Sequence, residues 1–184
     1  MSTSDRSASD IVILTGPPGA GKSTTARALA AEFPRSVHLH TDDFWKCIVA
    51  GAIPPHLPES HQQNVTVMQV IRRAAITYAA GGFVTVVDGI VGPWMLPHFH
   101  DTPRLHYVVL RPSRPEALRR AQARTAPDAL VDAGPVLTLW DQFADLGDLE
   151  HHAVDTTAHT APETLAAVCE AVAGGRFVLD TARR

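Results

Sequence analysis

The chain predicts an α/β fold, a mostly parallel sheet covered by helices on both faces in three layers. Three observations predict it. Short apolar runs alternate with helical patterns along the chain, as strand–helix–strand units do. The run Phe83-Val84-Thr85-Val86-Val87-Asp88 is apolar almost throughout, as expected of a strand covered on both sides. A glycine-rich turn joins the first apolar run to the first helical pattern, the layout of a strand–loop–helix that binds phosphate.

Taken in order, Met1 to Asp10 is polar and reads as a disordered tail, without the apolar centre of a signal peptide or anchor. Ile11 to Leu14 is a short buried strand. Gly16-Pro17-Pro18-Gly19-Ala20-Gly21-Lys22-Ser23 matches G-x-x-x-x-G-K-[ST] without a mismatch, and a helix continues from Thr24 to about Phe33, where Pro34 stops it. Val37 to His40 is a second strand, followed by Thr41-Asp42-Asp43-Phe44-Trp45 and a short helix to about Ala50. A Pro-rich loop covers residues 53–58. Glu59 to Ala80 is a long helix with Met68, Ile71, Ala75 and Tyr78 at helical spacing, ended by Gly81-Gly82.

Phe83 to Asp88 is the third strand and Gly89 to Pro97 a Gly/Pro/Trp-rich crossing. Leu105 to Leu110 is the fourth strand. A helix spans about Glu116 to Arg124, and the small polar residues Thr125 to Pro135 form a mobile lid beginning near Arg120. A further helix runs to about Leu146, and His152 to Asp155 makes a weak fifth strand. Pro162 to Ala173 is the last helix, and Phe177 to Leu179 a terminal strand. The 184 residues suit one domain, residues 11–184, with a lid at about 120–135.

Composition excludes several classes. Sixteen Lys and Arg against nineteen Asp and Glu leave a formal charge of −3, whereas a nucleic-acid binder carries a basic surplus. No window approaches the roughly 18 apolar residues of a membrane span. Cys47 and Cys169 lack metal spacing and read as reduced, buried or semi-buried thiols of a cytoplasmic protein. The ten histidines include no zinc-type set and read as satisfied or exposed imidazoles, with His56 or His61 near a substrate.

The phosphate loop carries the chemistry. Its glycines let the backbone wrap a polyphosphate with N–H groups inward, and the following helix presents its positive end. Lys22 reaches the β- and γ-phosphates, and the Ser23 hydroxyl suits Mg²⁺. The chain has no guanine-reading Asn-Lys-x-Asp, no Leu-Ser-Gly-Gly signature and too few residues for a ring ATPase with a helical lid, which leaves a small kinase.

In such folds ligands gather at the carboxyl ends of the strands. After strand two stand Asp42 and Asp43: one carboxylate can cap the helix while the other orients an acceptor hydroxyl and takes its proton. Acid there favours a hydroxyl acceptor over an anionic one. Asp88 ends strand three, where it holds Mg²⁺ through water or serves as a turn residue. Trp45 and Trp94 either wall the acceptor pocket or pack in the core. After strand four come Arg111, Arg114, Arg119, Arg120 and Arg124. Arg120 and Arg124 are one turn apart, placed to close over ATP, with a solvated helix face as the alternative; Arg119 lies on another face and is structural.

Gly16–Ser23, Asp42-Asp43-Phe44, Asp88, Leu110-Arg111-Pro112-Ser113 with Arg120 and Arg124, and Asp155-Thr156-Thr157 together resemble the small-molecule kinases of the adenylate-kinase type. They are similar in particular to the group of shikimate and gluconate kinases, chloramphenicol phosphotransferase, zeta toxins and the tunicamycin-resistance protein. The resemblance implies a P-loop NTPase fold with sheet order 2-3-1-4-5 and an ATP·Mg²⁺ donor. By it, Gly16 to Thr24 and Lys22 bind phosphate, Ser23 and Asp88 serve the metal, and Asp42 or Asp43 is the base. Arg120 and Arg124 become lid arginines, and Asp155 to Thr157 lies near adenine, with Thr156 a nucleotide contact. A Gly-Gly turn with arginine after strand three, expected of a shikimate kinase, is replaced by Asp88-Gly-Ile-Val-Gly-Pro-Trp94.

The expected function is transfer of the γ-phosphoryl group of ATP to a hydroxyl of a sugar, nucleoside or antibiotic, with antibiotic resistance one such role. The alternatives are a nucleoside monophosphate kinase served by Arg72 and Arg73, and a non-catalytic ATP-binding switch or toxin-like protein. The expected partners are ATP, Mg²⁺ and the acceptor, with no nucleic acid or membrane, in a monomer or homodimer.

Overall fold

A computed structural model describes residues 10–102, 104–126 and 129–179. The expected tail falls outside them except for Asp10, which is buried and accepts hydrogen bonds from Arg104 rather than trailing in solvent. Five parallel strands lie in the order β2-β3-β1-β4-β5: β1 (Ile11–Thr15), β2 (Ser36–His40), β3 (Val84–Asp88), β4 (Leu105–Leu110) and β5 (Ala153–Val154). The central strands β1, β3 and β4 are buried throughout, while the edge strand β2 is half-buried along its length.

Among the described residues six α-helices surround the sheet: α1 (Lys22–Ala31), α2 (Thr41–Lys46), α3 (His61–Ala80), α4 (Arg114–Gln122), α5 (Ala133–Asp141) and α6 (Ala161–Ala173). Alternation of strand side chains divides the core into two layers. Ile11, Ile13 and Val87 pack with Met68 and Ile71 of α3 and with Phe143. Val12, Leu14 and Val86 pack on the other face with Leu29 of α1 and Val168 of α6. Each large aliphatic side chain so buried contributes roughly 1.5–3 kcal/mol. Thr160 and Glu163 form a reciprocal capping box that starts α6.

Several boundaries differ from the sequence reading. The Pro-rich connection enters α3 through a 3₁₀ turn at Pro58–Ser60, because the Ser60 hydroxyl donates to the carbonyls of Pro55 and Leu57 and ties the loop down. Tyr78 is substantially exposed, off the stripe of Met68, Ile71 and Ala75. At the end of α3 it is Gly82, not Gly81, that takes the left-handed conformation, φ 80°. The crossing after β3 forms a 3₁₀ segment, Pro93–Phe99. α4 starts earlier than expected and stops at Gln122, so Arg124 lies past its end; α5 ends at Asp141. Residues 177–179 join β4 by one antiparallel bridge, His106 with Val178, rather than as a strand. Cys47, the residue that follows α2, is exposed, and Cys169 is half-buried.

Candidate active site

Register builds the site. Leu14 of β1 and His40 of β2 both lie beside Asp88, so the end of β3 meets the end of β2 just before the phosphate loop leaves β1. The loop is pressed against the sheet and α4. A Cβ on Gly19, at φ 80°, would stand 2.1 Å from the Ala117 carbonyl oxygen, which demands glycine there. Gly21, also left-handed, precedes α1, so Lys22 and Ser23 sit in its first turn.

Lys22 folds over the loop and donates through Nζ to the Pro17 carbonyl at 2.9 Å. Burial pushes its pKa down to about 8, against the attraction of Asp88 and Asp42; Arg124 lowers it further. The candidate acid, the candidate metal residue and the candidate lid arginine therefore all act on the phosphate-loop lysine.

Asp88 is fully buried and fully engaged. Ser23 Oγ donates to Oδ2 at 2.6 Å, while His38 Nε2 and His40 Nδ1 lie 2.5 and 3.0 Å from Oδ1. Burial alone would raise the carboxyl's pKa; hydrogen bonds from His38 and Ser23 and the proximity of His40 outweigh it and hold it below the usual carboxylate range. The sequence marks the two imidazoles only as satisfied or exposed. Their alternation on a strand was the available signal, since residues two apart share a face, but the sequence does not state what lies opposite.

Asp42 and Asp43 share the first turn of α2 and diverge. Asp42 Oδ2 lies 3.6 Å from His40 Nε2, and Asp43 Oδ1 lies 3.8 Å from Lys46 Nζ. Neither side chain caps α2, whose N-cap is His40. Asp88 leads into Gly89, where a Cβ would stand 1.7 Å from the Thr41 hydroxyl, so the turn after β3 packs directly on the start of α2. The Val91 N–H donates to Thr15 Oγ1, and the Tyr107 hydroxyl donates to the Val91 carbonyl, pinning this crossing over β1 and β4.

The arginines separate. Arg111 bonds Glu150 and the carbonyls of Phe143 and Ala144; Arg114 pairs with Asp141 and Arg119 with Glu116. Arg120 also pairs with Glu116, and its Nη2 donates to the carbonyls of Thr156, Thr157 and His159 at 3.0–3.2 Å. That brings Arg120 and the Asp155–Thr157 turn together, with Thr156 buried beneath. No carboxylate pairs with Arg124 among the described residues, and it is exposed. Part of the expected lid, 127–128, lies outside the described residues; α5 occupies its end.

Other candidates fall elsewhere. The Trp45 indole donates to Asn64 Oδ1 at 2.9 Å and packs against the core, whereas Trp94 is half exposed beside Phe143. His56 and His61 are exposed on the Pro-rich loop and at the start of α3. Arg72 donates to the His100 carbonyl, and with Arg73 it lines a pocket of about 340 Å³ on the chain leading into β4, with Pro97, His98 and Asp101. α2 and α3 form a second pocket, of about 540 Å³, whose lining includes Phe44, Cys47, Ile48, Thr66 and Val70. No group of three or more His, Cys, Asp or Glu able to hold a metal occurs among the described residues, and no described helix is long and apolar enough to cross a membrane.

The strand order, with the phosphate loop between β1 and α1 and Asp88 on the neighbouring strand, defines a P-loop NTPase fold. Within that class the chain belongs to the AAA domain family, whose model matches residues 12–135. Solved structures that share this fold include several kinases. Shikimate kinase from Acinetobacter baumannii superposes with TM-score 0.65 at 20% identity, covering 94% of this chain and 98% of that one. The tunicamycin resistance protein of Deinococcus radiodurans gives 0.67 at 16%, covering 89% and 95%. A gluconokinase from Sinorhizobium meliloti gives 0.64 at 17%, covering 91% of each. No curated protein matches the sequence significantly.

Proposed function

We propose that this protein transfers the γ-phosphoryl group of ATP to a hydroxyl group of a small molecule. The observation that carries the reading is that Asp88, to which Ser23 donates, and Asp42 both lie close enough to attract Lys22, which sets a phosphate-binding cation, a metal-suited oxygen pair and an acceptor-side acid within one cluster. Lys22 and the amides of Gly16 to Thr24 hold the phosphates. Asp42 or Asp43 orients the acceptor hydroxyl and accepts its proton as the new P–O bond forms and the bond from phosphorus to the bridging oxygen of ADP breaks. Arg124, exposed past the end of α4 and acting on Lys22, balances charge on the transferring group; Arg120 and Thr156 flank the base of the nucleotide.

The donor set also fits Mg²⁺. The Ser23 hydroxyl and the Asp88 carboxylate supply two hard oxygens 2.6 Å apart, and Mg²⁺ takes few protein ligands, completing its shell with water and substrate phosphates. Bound there, the ion would neutralise phosphate charge.

The placement of Arg72 supports a hydroxyl acceptor over a nucleoside monophosphate, since its guanidinium is committed to the His100 carbonyl rather than to the Lys22 cluster. The reading extends to sugars, nucleosides and antibiotics as acceptors, in a cytoplasmic setting. The test is ADP release from ATP·Mg²⁺ against a panel of sugars, nucleosides, nucleoside monophosphates and aminocyclitol or nucleoside antibiotics. Stimulation by a neutral hydroxyl compound is expected. Stimulation by monophosphates alone, or tight ATP binding with no stimulation, overturns the reading.

A further inference from the structure

The phosphate side and the acceptor side of the site are joined by one side chain. His40 is the last residue of β2 and the N-cap of α2, so its backbone stands between the strand paired with Asp88 and the helix carrying Asp42. Its Nδ1 lies 3.0 Å from Asp88 Oδ1, and its Nε2 lies 3.6 Å from Asp42 Oδ2. We propose that His40 is a positioning residue that ties Asp42, and not Asp43, to Asp88 and so aims Asp42 at the acceptor. The inference rests on the phosphotransfer reading and deepens it by choosing between the two acids.

The physical argument is rigidity. An imidazole is a flat ring whose two nitrogens point in divergent directions, so anchoring Nδ1 on Asp88 fixes where Nε2 points. With a proton on each nitrogen the ring attracts a carboxylate on either side, and Asp42 stands at ion-pair distance rather than in a hydrogen bond. The anchor is firm: Asp88 is buried and already held by Ser23 and His38. Asp42 needs such a guide because it is exposed, with its side chain 68% accessible, and would otherwise turn freely. His38 cannot play this part, since the contact it makes is with Asp88 alone among the carboxylates of the cluster. Asp43 is drawn the other way, toward Lys46. The chain Ser23–Asp88–His40–Asp42 thus connects a metal-suited hydroxyl to the acceptor acid. Misplacement of a reacting group by about 1 Å is enough to slow chemistry up to about 10²-fold.

Two readouts test this on the full chain. The first is the ¹⁵N resonances of the imidazoles at fixed pH, with those of His40 assigned by their loss in His40→Gln. Asp42→Asn and Asp88→Asn should each move the His40 resonances, and Asp43→Asn should leave them in place; an Asp42→Asn spectrum with His40 unmoved overturns the proposal. The second is ADP release from ATP·Mg²⁺ with water as the hydroxyl acceptor. His40→Ala should lower kcat about tenfold with the KM for ATP·Mg²⁺ within about twofold, and should slow Asp42→Asn by less than about twofold more, since residues acting as a unit do not add. Losses that multiply in the double variant overturn it. So does recovery of kcat by His40→Asn, whose shorter amide keeps the reach to Asp88 and gives up that to Asp42. If the resonances respond as expected but Asp42→Asn turns over at the wild-type rate, the tie stands and the phosphotransfer role of Asp42 is what fails.

Discussion

Ser23 and Asp88, far apart in the chain, meet as a hydroxyl donating to a carboxylate at 2.6 Å. The pair exists because parallel pairing of β3 with β1 brings the end of β3 alongside the strand that feeds the phosphate loop. Asp88→Asn keeps the shape and removes the charge. The expected outcome is at least a tenfold rise in the Mg²⁺ concentration that half-saturates ADP release, with Ser23→Ala acting in the same direction. A Mg²⁺ titration of each variant checks this; unchanged half-saturation would sink the metal assignment.

Lys22 gives the site a pH dependence with a defined sign. Burial pushes its pKa down to about 8, below its ordinary value of 10.5. Polyphosphate favours the charged form, so above about pH 8 binding must take up a proton. Affinity for ATP should therefore fall as pH rises beyond 8, by up to about tenfold per unit, and Lys22→Arg should flatten the profile. Calorimetric titration with ATP across pH 7 to 9.5 reads it. The same depressed value means that between about 8 and 10.5 the unfolded chain binds more protons, so the cost of burying the charged Lys22 is relieved, and stability rises, as pH increases across that window.

Lys22→Ala should abolish transfer. Asp42→Asn combined with Asp43→Asn should lower turnover about 10²-fold or more while leaving ATP binding intact. The check is turnover alongside equilibrium binding of ATP. Loss of binding in the double variant would contradict an acceptor-side role for these acids.

Gly19→Ala should be costly out of proportion to one methyl group. The new Cβ would collide with the Ala117 carbonyl of α4, and the residue would keep a left-handed backbone. Together these effects cost about 2–4 kcal/mol, because the obstructing atom is backbone and cannot swing aside. Denaturant unfolding measures the loss, and ATP binding should fall with it.

Arg120→Ala removes a guanidinium that holds three carbonyls of the turn after β5. Hydrogen bonds from a charged donor are worth roughly 1.5–3 kcal/mol when their partners are left unpaired, and part of that returns as water reaches this half-buried group. A fall in melting temperature and a weaker apparent affinity for ATP are expected together, with Arg120→Lys unable to restore both. Thermal unfolding with and without ATP separates them.

Much of the architecture was written locally. The alternation of apolar runs with helical patterns, the Gly-Lys-Ser loop and the largely apolar β3 depend on neighbours in sequence, so the strands of the sheet and the main helices could be placed directly, and residues 11–14 and 84–88 fall where expected. Boundaries set by contacts across the chain could not. Ser60 ties down a turn five residues back, and α4 stops before Arg124, although the residue pattern allows it to continue.

The candidate site divides in the same way. The sequence by itself determined a phosphate loop with Lys22 and Ser23, acids after the second strand and an aspartate closing the third, because each is a local motif beside a strand end. Only the tertiary structure decided that Asp88 is gripped by Ser23, His38 and His40, that Asp42 turns toward His40 while Asp43 turns toward Lys46, and that Arg120 clamps a turn of the chain. The reason is register: which side chains meet across a parallel sheet depends on how strands distant in sequence are aligned, and no strand carries that alignment alone.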